Sequence, residues 1–152
     1  ATDLVVRTGT ELGVTRFMPL ITERTNTHRV NLERLHTIAT EAAEQCERLD
    51  VPTITDPAPL LHMLGAWPEQ SHLFTAIERA EGRSIATPVN LHTAKPGDGL
   101  LIGPEGGLSD TECQTLLNRP FIAPLSLGPL VLRAETAVAA GLALLGHGLR
   151  SA

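Results

Sequence analysis

Two short Gly/Pro loops follow apolar runs in the C-terminal part of the chain: GPEGG at 103–107, after LLI, and SLGPL at 126–130, after FIAPL. Both have the residue types that can hold a ligand through the backbone. Glycine lets the main chain approach without a Cβ in the way, and proline fixes the loop beforehand, which lowers the entropy lost on binding. Ligands of open α/β sheets sit beyond the carboxyl ends of strands, where these loops fall; plain turns use the same residue types. Neither loop matches GxxxxGK[ST] or GxGxxG, and Lys95 lies before the first run, outside the loop. A nucleoside triphosphate is a poor fit. Backbone amides and carbonyls with an apolar wall from Leu101, Ile102, Leu125, Leu127 and Leu132 suit an adenosyl group without a phosphate chain, and S-adenosylmethionine meets that description.

Other chemistries find less support. Cys46 and Cys113 form no CxxC pattern and read as reduced thiols of a cytoplasmic protein. The six histidines, His28, His36, His62, His72, His92 and His147, show no HExxH or paired Cys/His spacing, so no metal is expected. Lys plus Arg total 12 against 17 Asp plus Glu, a net charge of −5, which argues against a domain held on nucleic acid by its overall field. An RNA role requires a local patch. No apolar run approaches the ~20 residues of a membrane helix, and the opening ATDLVVRTGTELG lacks the features of a signal peptide. With 152 residues, 42% apolar and 19% charged, the composition fits one folded domain.

Helical and strand-like segments alternate with short Gly/Pro joints, the pattern of an α/β domain with a mostly parallel sheet and helices on both faces. Residues 3–12 read as a helix closed by Gly13, and 14–21 as a buried strand. Entry through a helix is unusual for such a unit and suggests that a first strand is missing. Over 30–49, Leu32, Leu35, Ala39, Ala42, Cys46 and Leu49 line one helix face, with Arg34, Glu41, Gln45 and Arg48 as a polar stripe. Residues 58–66 suggest a short helix, 71–79 a strand running into a loop, and KPGDG at 95–99 a turn before the strand that ends in GPEGG. Ser109 and Glu112 have capping-box spacing for a helix to about Asn118. Residues 121–130 read as a strand breaking into a loop, and 133–145 as a helix apolar all round. Such a helix must be wrapped by its own domain or covered by a second subunit.

ELGV at 11–14, ERT at 23–25, EAAEQCER at 41–48, IGPEGGLSDTE at 102–112 and SLGPLVLRAETAVAAGLALL at 126–145 resemble the methyltransferase domain of the RsmE family. That family methylates N3 of a uridine in small-subunit ribosomal RNA and belongs to the SPOUT superfamily. The resemblance covers nearly the whole chain, 1–152 as one SPOUT methyltransferase domain. It implies a C-terminal deep trefoil knot, an exception to the rule against threaded chains. It also implies a homodimer, consistent with the apolar final helix, and a missing N-terminal PUA-like RNA-binding domain. The implied cofactor, S-adenosylmethionine, is held by Ile102, Gly103, Pro104, Glu105, Gly106 and Gly107 in one loop and by Leu125, Leu127, Gly128 and Leu132 around the other. Leu73 and Thr75 form a third wall. Leu130, Val131, Leu108 and Thr25 stand where Arg, Ile, Phe and Ser are usual, and the first of these removes a cation near the cofactor loop.

Methyl transfer to uracil N3 requires an in-line approach, loss of the N3 proton, and stabilisation of charge on the flanking carbonyl oxygens. An arginine fork suits that task. Arg24, beside Thr25, and Arg133, opening the last helix, are the catalytic candidates; a phosphate contact for Arg24 and an ion pair with Glu135 or a dimer partner for Arg133 are the structural alternatives. Glu105 and Glu135 are possible proton acceptors, although a glutamate near a helix start also serves the helix dipole. Glu41, Gln45 and Arg48 match a family motif; the stripe they belong to reads as a solvated face or, alternatively, as a face toward RNA or a second subunit. Two other functions remain open: a non-catalytic RNA-binding or assembly module, and a SPOUT enzyme with another RNA target such as a tRNA ribose.

Overall fold

The computed structural model describes residues 2–24, 30–76, 94–104, 106–127 and 132–151. The first helix, α1 (Thr2–Glu11), ends at Gly13, whose φ of +97° suits glycine. The expected strand at 14–21 divides into β1 (Arg16–Phe17) and β2 (Leu20–Ile21). Each pairs in parallel with a partner segment absent from the sequence reading, β3 (Thr53–Ile54) and β4 (Ala58–Pro59). Phe17 lies opposite Ile54 but Leu20 opposite Ala58, so the second segment carries one more residue than the first between these pairs. Such a bulge, placed around Asp56 and Pro57, breaks one ribbon into two short ladders. Nor is the first segment buried: Met18 and Ile21 are exposed, because the chain covers it less completely than its apolar composition suggests.

The long helix α2 (Leu32–Gln45) starts on Asn31, whose side chain accepts from Arg34 N, and stops four residues before the expected end. Glu47 adopts φ +63°, with Arg48 N donating to Ala43 O and Glu47 N to Glu44 O. This is a Schellman termination with a glutamate in the position glycine prefers. Leu49, expected on the apolar face, is consequently fully exposed, and Cys46 is exposed as well. Val6, Leu35, Ile38, Ala39 and Ile54 form the core between α1 and α2, with Phe17 against it. Gly9 permits that approach, since a Cβ there would stand 2.6 Å from the Phe17 ring.

After β4 the chain turns directly into α3 (Leu60–Ala66), so Ala58 and Pro59 are extended, not the helical start anticipated. A three-stranded parallel sheet follows, in the order β6 (Gly99–Ile102), β5 (Leu73–Ala76), β7 (Ile122–Leu125). Residues 77–79 and 128–130 of the expected strand regions lie outside the described residues. Between β6 and β7 runs α4 (Asp110–Leu117), opened by a complete capping box between Ser109 and Glu112. The last helix, α5 (Ala134–Ser151), extends past the expected end at 145.

Alternation along β5 separates two cores. Leu73 packs with Leu101, Leu60, Met63, Leu64, Leu116 and Phe121, from β6, α3, α4 and the start of β7. Phe74 packs with Ala94 and with Leu145 of α5, alongside Leu100 and Ala123. Helices therefore cover both faces of this sheet. On the α5 side, a Cβ at Gly141 would stand 2.8 Å from Leu100, so glycine sets the helix-to-strand distance. The helix is not enclosed on every side: Ala137, Val138 and Leu145 are buried, while Leu144 and Leu149 are exposed. No helix among the described residues is long and apolar enough to cross a membrane.

Candidate functional site

Ala76, the last residue of β5, lies opposite both Ile102, the last of β6, and Leu125, the last of β7. The three strands thus end level, and the chain leaves β6 into 103–107 and β7 into 126–127 on either side of β5. Two strand spacings, ~10 Å, separate the points of departure. The 103–107 loop is closed by Gly107 N donating to Pro104 O at 2.8 Å, and the φ of +78° at Gly107 requires glycine there. Ile102, Gly103 and Pro104 are half-buried, Gly106 is exposed, and Leu125 is buried. Leu127 and Leu132 are half-buried on the two sides of 128–131. Glu105 and Gly128 lie outside the described residues.

Thr75 is buried one residue before the strand end, its hydroxyl donating to Leu73 O at 3.3 Å. Leu73 stands at the amino end of β5 within the α3/α4 core, so it packs the sheet and does not reach the strand-end loops.

The segment carrying Arg24 rests on the GPEGG loop. Arg24 Nη1 donates to Gly106 O at 3.3 Å, and a Cβ at Gly106 would stand 3.5 Å from Arg24 Cβ and Arg24 O. The arginine is otherwise exposed. Arg133 is also exposed, immediately before α5, its carbonyl accepting from Ala137 N at 2.9 Å. It forms no ion pair with Glu135 among the described residues. Glu135 is half-buried, and its Oε2 is buried without a hydrogen-bond partner.

Glu112, read from sequence as a cap residue, has a second connection. Its Oε1 accepts from Ser109 N at 3.0 Å and its Oε2 from Glu23 N at 3.3 Å, with the residue only 4% exposed. The capping spacing signalled the first bond; no local pattern signals a contact to a residue 89 positions away. At its neighbour Cys113, burial, then the charges of Asp110 and Glu112, push the thiol pKa up against an opposing effect of Arg24, a net rise that disfavours the thiolate.

The polar stripe of α2 lies elsewhere. Arg48, only 14% exposed, donates to Thr10 O at 2.7 Å and Val14 O at 3.0 Å and pairs with Asp50, so its guanidinium ties α1 to α2 and is occupied. Glu41 and Gln45 line a cleft of about 450 Å³ between α1 and α2 together with Arg7, Glu11, Glu44 and Glu47. With only Ile38 and Ala42 as apolar lining, that cleft lacks the wall an adenosyl group needs. No group of His, Cys, Asp or Glu able to hold a metal occurs among the described residues.

Residues 1–146 match the family model of an RNA methyltransferase domain. The chain belongs to that family. This methyltransferase domain is 36% identical over 151 residues to a ribosomal RNA small subunit methyltransferase E from Synechocystis, spanning 97% of the chain but 49% of the relative. Among solved structures, a methyltransferase from Legionella pneumophila in complex with its cofactor SAM shares 34% identity at a TM-score of 0.77, over 96% of the chain and 60% of its own. A ribosomal RNA small subunit methyltransferase E from Neisseria gonorrhoeae, bound to S-adenosylmethionine, shares 29% identity at a TM-score of 0.80, over 97% of the chain and 61% of its own. The domain therefore spans about half to three-fifths of the length of these relatives.

Proposed function

We propose that this domain binds S-adenosylmethionine at the level ends of β5, β6 and β7 and transfers its methyl group to N3 of a uridine in small-subunit ribosomal RNA. The observation that carries the reading is the joint placement of the strand ends and Arg24. The GPEGG and SLGPL loops leave β6 and β7, the two strands that flank β5, at the same carboxyl end of the sheet, and the ERT segment brings a guanidinium onto the first of them. The donor set fits the group: glycine backbone at 103, 106 and 107, with Ile102, Leu125, Leu127 and Leu132 as apolar wall. Nothing closer than 3.6 Å faces a Cβ built on Gly103, which leaves its backbone accessible. When bound, the cofactor supplies an electrophilic methyl group.

The chain's own residues then have three tasks. The two loops hold the adenosyl end through backbone groups. Arg24, and Arg133 from the start of α5, steady the charge that grows on the uracil carbonyl oxygens as N3 loses its proton. Glu135, with an unpartnered buried oxygen, is the favoured acceptor for that proton, and Glu105 the other candidate. In this reading the segment from SLGPL into α5 forms the trefoil knot of the SPOUT fold, and the exposed Leu144 and Leu149 of α5 meet a second copy in a homodimer. The enzyme works in the cytoplasm, where ribosomal subunits assemble.

Nucleoside mass spectrometry of small-subunit RNA, incubated with the full-length protein and S-adenosylmethionine, tests this. The expected product is 3-methyluridine. A ribose-methylated nucleoside would redirect the assignment to another SPOUT target. Saturable cofactor binding without methyl transfer to any RNA would point to an assembly module.

A further inference from the structure

We propose that Glu112 is a positioning residue that fixes Arg24 over the cofactor loop, a role that rests on the methyl-transfer reading above. A capping box needs one glutamate oxygen, and Oε1 fills that need by accepting from Ser109 N. The other oxygen accepts from Glu23 N, the amide immediately before the peptide from which Arg24 departs. One carboxylate thus joins the end of the GPEGGLS loop to the segment that presents Arg24, and it does so at 4% exposure, where water competes little for either bond. It lies in the first turn of α4, where it accepts from these two N–H groups. From the other side, Arg24 returns a bond to Gly106 O. The two contacts form a closed circuit: Glu112 sets the backbone of the ERT segment, and Arg24 spans from that backbone to the loop. With the first bond absent, Arg24 keeps its charge but loses a fixed origin, and orientation is what catalysis by a charged fork depends on.

The test compares E112Q, E112A and S109A with R24A in the full-length protein. S109A removes the hydroxyl half of the cap and leaves both glutamate acceptors in place. E112Q keeps the volume but offers one acceptor for two N–H groups, and E112A removes both acceptors. Amide hydrogen exchange over residues 22–24 is expected to quicken in E112A, and at least partly in E112Q, with S109A unchanged. The turnover number for RNA methylation should fall about tenfold in E112Q, with the KM for S-adenosylmethionine unmoved, and the E112Q/R24A double variant should be no slower than R24A alone. Unchanged exchange in both Glu112 variants overturns the proposal. So does a double variant whose losses multiply, or an S109A as slow as E112Q. A wild-type protein that transfers no methyl group would instead remove the functional reading, while the exchange measurement still decides whether the clamp exists.

Discussion

Among the described residues, Arg24 and Arg48 both bind backbone carbonyls, in different ways. In the corner between α1 and α2, Arg48 is mostly buried, and its donors are taken up by Thr10 O, Val14 O and the Asp50 carboxylate. At the strand-end loops, Arg24 is exposed and, among the described residues, spends one bond of 3.3 Å on Gly106 O. A guanidinium carries five N–H donors; Arg48 uses four of them within its own fold, while Arg24 retains capacity for a further partner. Sequence type alone does not separate them. Burial and occupancy do: they give Arg48 a structural role and leave Arg24 open for the proposed chemistry.

The sharpest way to break this contrast is to exchange the consequences. R24A should lower methyl transfer about a hundredfold, the loss expected for one charge-stabilising donor, with the melting temperature unmoved. A steady-state assay beside a thermal melt checks both halves. R48M should do the reverse: deserting the carbonyls of Thr10 and Val14 costs about 2 kcal/mol in denaturant unfolding, while cofactor binding at the far loops is retained. Equal effects of the two substitutions on either measurement would erase the distinction.

Within the loop region, G107A imposes a Cβ on a backbone at φ +78° and should cost about 1 kcal/mol, read as a several-fold weaker cofactor affinity in calorimetry. In the helical corner the same conformational rule runs the other way. Glu47 sits at φ +63° where the Schellman turn favours glycine, so E47G should stabilise the protein by up to about 1 kcal/mol in urea unfolding.

The smallest effect concerns acid. The Arg48 side chain bonded to Asp50 holds that carboxyl below its ordinary 3.8, so the pair contributes stability above that value and loses it as pH falls through the lower, folded one. Asp50 is open to solvent, so D50N should only slightly flatten the acid limb of a melting-temperature profile below about pH 4.

The legible parts of the fold were those with local causes. The α4 cap was visible in the Ser109–Glu112 spacing, and the sheet's Gly/Pro exits were visible as composition. The early end of α2 was not, because Glu47 carries no sequence mark of a left-handed turn, and Leu49 then continued an apolar period that the backbone had already left. The bulge that splits 14–21 depends on the partner segment 53–59, whose pairing is a tertiary property. The site was legible to the same degree. Its loops could be located from residue type, and Arg24 from family resemblance, but Arg24's seat on Gly106 and the second bond of Glu112 join residues more than eighty positions apart. Leu73, placed beside the cofactor by the family resemblance, packs at the amino end of β5 into the α3/α4 core, a neighbourhood set by tertiary contacts.

In the proposed function the two strand-end loops form one cradle for the methyl donor. Electron density from crystals grown with saturating S-adenosylmethionine measures this directly. The adenosyl group is expected beyond Ala76, between residues 103–107 and 126–132, with Arg24 on the side of its methyl group. Density in the acidic cleft between α1 and α2, or none at either place, would contradict it.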